Sequence, residues 1–177
     1  MVIKKHSVII LIFAILACAT LQANAQAPYK HGIGVTLGTT QAVSYKTFPC
    51  NHFAIQLDLG TKYCYVYGSH LWSAELAPNF MYEGRLSGDL YGLIGVGGSI
   101  GYTWNNLYGY FNKYGPQWSS DNAKGGANGI FGLEYLIDTY LAFQFDFRPG
   151  YRCVFNFDGL TDHTFDWGLN FGLRYTF

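Results

Sequence analysis

The chain has 177 residues, of which 19% are aromatic, 12% are charged and 22 are glycine. Basic and acidic residues balance at 11 each, whereas a nucleic-acid-binding surface would need a basic excess. Soluble domains carry about a quarter charged residues, so this composition favours a β-structure whose outer surface does not face water.

The start of the chain has the pattern of a cleavable secretory signal. Two lysines precede a short apolar run, and Ala23-Asn24-Ala25 provides a small-residue cleavage site. We therefore expect residues 1–25 to be a signal peptide and residues 26–177 to form one domain. That domain has a net charge of −2, because nine basic residues remain against 11 acidic ones. Cys18 leaves a rival open, a lipoprotein signal cut before that cysteine.

Apolar and polar residues alternate along most of the remaining chain. The alternation is weaker in three segments and strongest at the end, where Phe165–Phe177 has a large apolar residue at every odd position. A period of two indicates β-strands. The pattern predicts eight strands, at about 31–39, 41–48, 53–65, 71–82, 87–102, 127–137, 140–156 and 164–177. No segment has a helical period, so we expect an all-β fold, an eight-stranded antiparallel up-and-down transmembrane β-barrel that leaves no open edge.

The predicted connections differ in length between the two ends of this barrel. On the side of the domain's N-terminus they are short, at 49–52, 83–86 and 138–139. The opposite side has one long connection, residues 103–126. Short periplasmic turns and longer extracellular loops are typical of outer-membrane barrels.

If the apolar face meets lipid, the polar face must fill the lumen. An eight-stranded barrel is just wide enough inside for side chains, so we expect opposite charges to pair there and to leave no conducting pore. Arg148 and Arg174 lie on neighbouring strands, and Glu134 and Asp146 are their natural partners. The full predicted lumen network is Lys46, Asp58, Glu75, Glu134, Asp146, Arg148 and Arg174.

The long predicted loop mixes aromatic residues with asparagine, serine and glycine. This is the composition of a recognition loop, which predicts contact with an extracellular protein or glycan. The same rings could instead form an interfacial girdle or pack on one another. The candidates are Trp104, Tyr108, Tyr110, Tyr114 and Trp118.

Motifs for metal, cofactor or catalysis are weak. Cys50, Cys64 and Cys153 form no disulfide framework or zinc spacing, although Cys64 and Cys153 could pair at a rim. The pairs Ser69-His70 and Asp162-His163 form no dyad, because adjacent strand residues point to opposite faces. We expect no metal, no cofactor and no enzymatic activity.

Five segments resemble small outer-membrane barrels of the OmpX/OmpA-like type, in the form common among Bacteroidetes. They are GIGVTLG, AVSYKTF, GIFGLEY, LAFQFDFRPGY and WGLNFGLRYTF. Phe171, Leu173, Tyr175 and Phe177 resemble the C-terminal signal read by the barrel-assembly machinery. The resemblance implies the outer membrane of a Gram-negative bacterium, with membrane lipid and that machinery as partners. It implies no particular activity, since relatives include adhesins, structural anchors and proteins of unknown role.

The expected function is therefore that of a small outer-membrane barrel with a plugged polar lumen and a structural or surface-binding role through its extracellular loops. Two alternatives remain. One is an outer-membrane barrel enzyme acting on lipid A or peptides. The other is a soluble periplasmic lipocalin-like barrel that binds a small ligand, which is opposed by the number of aromatic rings that its narrow lumen would have to hold.

Overall fold

The computed structural model describes residues 27–66, 69–104, 121–156 and 161–177. The predicted signal peptide, residues 1–25, lies outside them. No helix among these residues is long and apolar enough to cross a membrane. The strands are β1 (His31–Gly38), β2 (Thr40–Cys50), β3 (Phe53–Val66), β4 (Ser69–Ser87), β5 (Leu90–Trp104), β6 (Asp121–Asp138), β7 (Leu141–Asn156) and β8 (Thr161–Thr176).

Each strand pairs antiparallel with its neighbours in sequence, and β1 pairs with β8, so the sheet closes into a barrel. At the closing seam His31 and Phe177 exchange backbone hydrogen bonds of 2.9 and 2.8 Å. Gly34 allows the strands to approach here, because a Cβ at this position would lie 1.9 Å from the Leu173 carbonyl oxygen. The predicted all-β, eight-stranded antiparallel barrel is confirmed.

The two faces of each strand have opposite chemistry. On β8 the side chains of Phe165 and Phe171 are 67% and 48% exposed, whereas Asn170 and Arg174 are 0% and 1% exposed. Because alternate side chains point to opposite faces of a strand, the period-two pattern becomes an apolar exterior and a polar interior.

The predicted turn at residues 83–86 is wrong. Strand β4 continues to Ser87, with Glu83 buried and paired in register with Leu93. The chain reverses at Gly88, whose φ of 52° suits glycine. Glu83-Gly84 has the composition of a turn, but hydrogen bonding to β5 keeps it extended.

The predicted long connection, residues 103–126, is also too long. Strand β5 runs to Trp104 and β6 already begins at Asp121, so the connection is residues 105–120, which lie outside the described part of the chain. Residues 121–126 lack large apolar side chains, so the alternation gives no signal. They form a strand because they pair with β5 on one side and, from Asn122 onward, with β7 on the other.

The height of the barrel wall varies around its circumference, because the strands differ in length. At the N-terminal end, where β1 begins, the connections are residues 51–52, 88–89 and 139–140. At the far end they are residue 39 and residues 67–68, 105–120 and 157–160. Strands β1 and β2 have 8 and 11 residues, whereas β3 to β8 have 14 to 19. The wall is therefore lowest at the β1–β2 hairpin.

Candidate functional site

The lumen holds three tiers of charged side chains, and the lower tier lies towards the N-terminal end. It consists of Lys46, Glu83, Glu134 and Arg174, one each from β2, β4, β6 and β8. Lys46 Nζ lies 2.7 Å from Glu134 Oε2 and also contacts the Glu83 carboxylate, and Arg174 lies 3.4 Å from the same Glu134 oxygen. Two cations thus balance two carboxylates, and all four side chains are at most 1% exposed.

The middle tier is centred on Arg148 of β7. Its guanidinium donates at 2.6 Å to Asp146 Oδ1 and at 2.8 Å to Asp58 Oδ2, across the lumen on β3. Asn79 and Asn170 each donate at 3.1 Å to one of these carboxylates. With Gln56 on Asp58 and Gln144 on Asp146, one cation and four amides satisfy two buried anions, which would otherwise be costly in this environment.

Gln144 connects the lower and middle tiers. Arg174 donates to its Oε1 at 2.7 Å, and its own Nε2 donates to Asp146 Oδ2 at 2.6 Å. Both amide atoms are used, so Gln144 fixes the spacing between the two tiers. The result is one hydrogen-bonded network that spans the lower half of the lumen.

The upper tier lies towards the far end and carries more positive charge. Arg152 lies 2.5 Å from Asp166 and 3.6 Å from Glu75, Lys62 contacts Asp166, and Lys124 contacts Glu75. Within the described side chains, three cations thus share two carboxylates, a formal charge of +1. The Lys62 and Asp166 side chains are also the most exposed of the described ion pairs, at 14% and 13%.

An apolar cluster, here called the apolar plug, fills part of the lumen beside the lower tier. Phe48, Ala54, Met81, Leu93 and Ile130 form a buried cluster, against which Ala27 and Tyr29 pack. The Tyr29 ring meets Phe48 edge-on at a centroid distance of 5.1 Å, and Lys46 Nζ lies 5.7 Å from the Tyr29 ring. The pKa of Tyr29 is raised well above its usual value, first by burial and then by the Glu134 carboxylate. The residues before β1 therefore belong to the lumen filling.

Glycines on the inner face of β5 make room for the larger side chains. A Cβ at Gly101 would lie 2.9 Å from both Glu75 Cγ and Lys124 Cε, and one at Gly97 would lie 2.2 Å from Asn79 Oδ1. Both distances are too short for unstrained packing. The Gly-rich segment of β5 is thus a wall against which polar side chains from β4 and β6 lie.

The structure places the predicted site residues as follows. The seven predicted lumen residues are all buried inside the barrel, with Arg148 on Asp146 and Arg174 on Glu134. The C-terminal signal residues all face outward. Of the predicted loop residues, Trp104 ends β5, and the others lie outside the described residues. Cys153 is a free thiol, 3.2 Å from His163 Nδ1.

Sequence reasoning missed five charged lumen residues: Lys62, Glu83, Lys124, Arg152 and Asp166. Each shares its parity with predicted inward residues on the same strand. The parity signal is therefore present for all five, but Glu83 and Lys124 fall within the predicted connections 83–86 and 103–126. Within the described residues no group of three histidine, cysteine or acidic side chains could hold a metal ion.

No protein-family model matches the sequence, and no curated protein matches it either. Among solved structures the chain is similar to a major outer membrane protein from Thermus thermophilus. The alignment has 12% identity and a TM-score of 0.43, and covers 84% of this chain and 98% of that one. At this level of similarity no activity, ligand or partner carries over.

We predict that Arg148→Met lowers the free energy of unfolding by about 3 kcal/mol, because it leaves two buried carboxylates without their cation. Urea titration of the protein refolded in lipid vesicles measures this. The triple variant that adds Asp58→Asn and Asp146→Asn should recover part of the loss.

The matched control is Arg85→Met, which removes an exposed arginine at the N-terminal end and should cost less than about 1 kcal/mol. Equal losses in the two single variants would contradict a stabilising role for the middle tier.

Proposed function

We propose that this protein is a small outer-membrane barrel with a closed, charge-filled lumen, whose role is structural or surface-binding and not catalytic. The observation that carries the proposal is the inverted polarity of the barrel, with aromatic and aliphatic side chains outside and paired charges inside. In water this arrangement would expose a continuous apolar surface far larger than soluble monomers tolerate.

The exterior also carries two belts of Tyr and Trp side chains. Near the N-terminal end lie Tyr45, Tyr135, Tyr140 and Tyr175, each at least 41% exposed. Near the far end lie Tyr102, Tyr151 and Trp167, each at least 40% exposed. Such belts form where a protein meets the two headgroup layers of a bilayer, so they support insertion with the N-terminal end on one side and the far end on the other.

Because the lumen is filled with side chains, the proposed role belongs to surfaces outside the lumen. Ion pairs cross it in all three tiers, and the apolar plug fills space beside the lower tier. Surface binding would then fall to the far-end connections, above all residues 105–120, with extracellular protein or glycan as the partner. A lipocalin-like ligand binder would need an apolar lumen, and an enzyme acting on lipid A or peptides would need a nucleophile beside a base.

We predict that the folded protein in an outer-membrane fraction migrates differently on a gel before and after boiling in detergent. Closed barrels resist detergent until they are heated, because every strand is paired on both sides. A protein recovered from the periplasm as a soluble species with no heat shift would refute the membrane assignment.

We further predict no steady conductance from the purified protein in planar bilayers. The charged side chains of the lumen hold one another in ion pairs and fill the path that ions would take. Single-molecule recordings at low and high salt test this, and reproducible open-channel steps would contradict the plugged lumen while leaving the membrane location intact.

A third prediction concerns assembly. Phe177→Ser should lower the amount of heat-shifted barrel in the membrane without producing a soluble product, because Phe177 belongs to the segment that resembles the assembly signal. The control is Phe165→Ser, which changes the same residue type on the same face of β8. Equal amounts of assembled barrel from the two variants would argue against a signal at the terminus.

A further inference from the structure

Among the strands that the structure describes, the barrel wall has a gap at its far end, above the short β1–β2 hairpin. The last described pair between β1 and β8 joins Gly38 to Asn170, and the last between β2 and β3 joins Thr40 to Lys62. Beyond these points β3 and β8 continue, paired within the described strands only with β4 and β7. We call the opening between residues 63–66 of β3 and 161–168 of β8 the notch. Each of its two edges presents one row of backbone N–H and C=O groups that no described strand pairs with.

The floor of the notch is a fixed part of the fold. The Asn170 side-chain oxygen accepts from the Thr40 N–H at 3.0 Å and from the Thr39 hydroxyl at 3.1 Å. A Cβ at Gly168 would lie 2.4 Å from the Thr39 hydroxyl oxygen. The turn between β1 and β2 at Thr39 therefore packs tightly against β8. Asn170 also donates to Asp146, which ties the floor to the middle tier of charges.

The notch opens at the depth of the far-end aromatic belt. Trp167 lies one position before the floor contact at Gly168 and is 55% exposed, and Phe165 lies next along the same face at 67%. Trp at a bilayer interface sits at the headgroup level. The gap therefore faces sideways into the headgroup layer, with apolar rings beside it on β8.

The upper tier of charges lies directly behind this gap. The ion pair between Lys62 and Asp166 joins β3 to β8 above the hairpin, and Arg152 reaches the same Asp166 carboxylate at 2.5 Å. Lys124 lies deeper, on Glu75. Among the side chains that the structure describes here, three cations face two carboxylates, an excess that an anionic group entering from the side would neutralise.

We propose that the notch receives the net anionic, phosphate-bearing headgroup of a membrane lipid, entering sideways from the leaflet that surrounds the far end. The phosphate binds Lys62 and Arg152 in competition with Asp166. The open edges of β3 and β8 hydrogen-bond to the rest of the headgroup, and the acyl chains run from Trp167 towards Leu169 and Phe171 on the outer face of β8. This inference rests on the proposed membrane location of the barrel.

The test uses full-length protein refolded into mixed micelles that contain phosphatidic acid and phosphatidylcholine in equal amounts. Native mass spectrometry then reports how often each lipid is retained. We expect about a tenfold preference for phosphatidic acid, the effect of one strong charge-assisted hydrogen bond. Millimolar inorganic phosphate should not displace the lipid, because it lacks the acyl contacts. Displacement by inorganic phosphate alone would overturn the lipid assignment in favour of a free anion.

Variants of the upper tier give effects of opposite sign. Lys62→Gln with Arg152→Gln should abolish the preference, whereas Asp166→Asn should strengthen it, because the competing carboxylate is gone. Arg85→Gln, which removes an exposed charge at the opposite end, should leave retention unchanged. Loss of retention in the Asp166 variant, or unchanged retention in the double variant, would overturn the proposal.

The outcomes also separate this inference from the proposed function. A chain that shows no heat shift in any lipid refutes the membrane barrel itself. A heat-shifted barrel without lipid preference refutes only the lipid site. A heat-shifted barrel that appears as a dimer without bound lipid would overturn it as well, by indicating that the open edges of β3 and β8 pair with a second copy.

Discussion

The narrowness of an eight-stranded lumen is the constraint on which the rest of the structure depends. Among the described residues, six cations and six carboxylates lie within it across the three tiers, and each must find a partner because water cannot enter in bulk. Apart from Arg148 and Asp146, which share β7, the partners come from different strands, so the pairing also fixes the register. A slip of one residue on any strand would turn its charges towards the exterior and its rings towards the lumen. The ion pairs of the lumen therefore require barrel closure, the observed strand register and an inward polar face at the same time.

Much of the fold could be predicted from particular strands. On β8 and β7 the alternation of rings with small or polar residues is nearly perfect, and it gives the strand, its two faces and the identity of inward residues such as Arg148 and Arg174. The direction in which the apolar face points does not follow from alternation alone, since a soluble barrel has the same period. It follows from size, because the rings of Phe143, Phe145 and Phe147 could not all fit beside their neighbours inside so narrow a lumen.

Other parts could not be predicted because their signal is not hydrophobic. The first residues of β6 form a strand only because they pair with β5 and β7, and their side chains carry no apolar alternation. The sequence therefore predicts a loop at Lys124, and Glu75 is the one predicted member of the upper tier. Glu83 falls within a predicted turn because Glu83-Gly84 also has no apolar alternation. The packing of Tyr29 inside the lumen could not be predicted, since no periodic pattern indicates that a residue ahead of the first strand enters the lumen.

The β1–β8 seam has a consequence for how the protein must fold. The contact between Thr39 and Asn170 joins positions 131 residues apart, and the barrel is not closed until such contacts form. Folding that depends on pairs so distant in sequence is slow, and throughout that time the edges of β1 and β8 expose backbone N–H and C=O groups that another chain could pair with. The chain is consequently at greatest risk of pairing with another copy, and of aggregating, before its two ends meet.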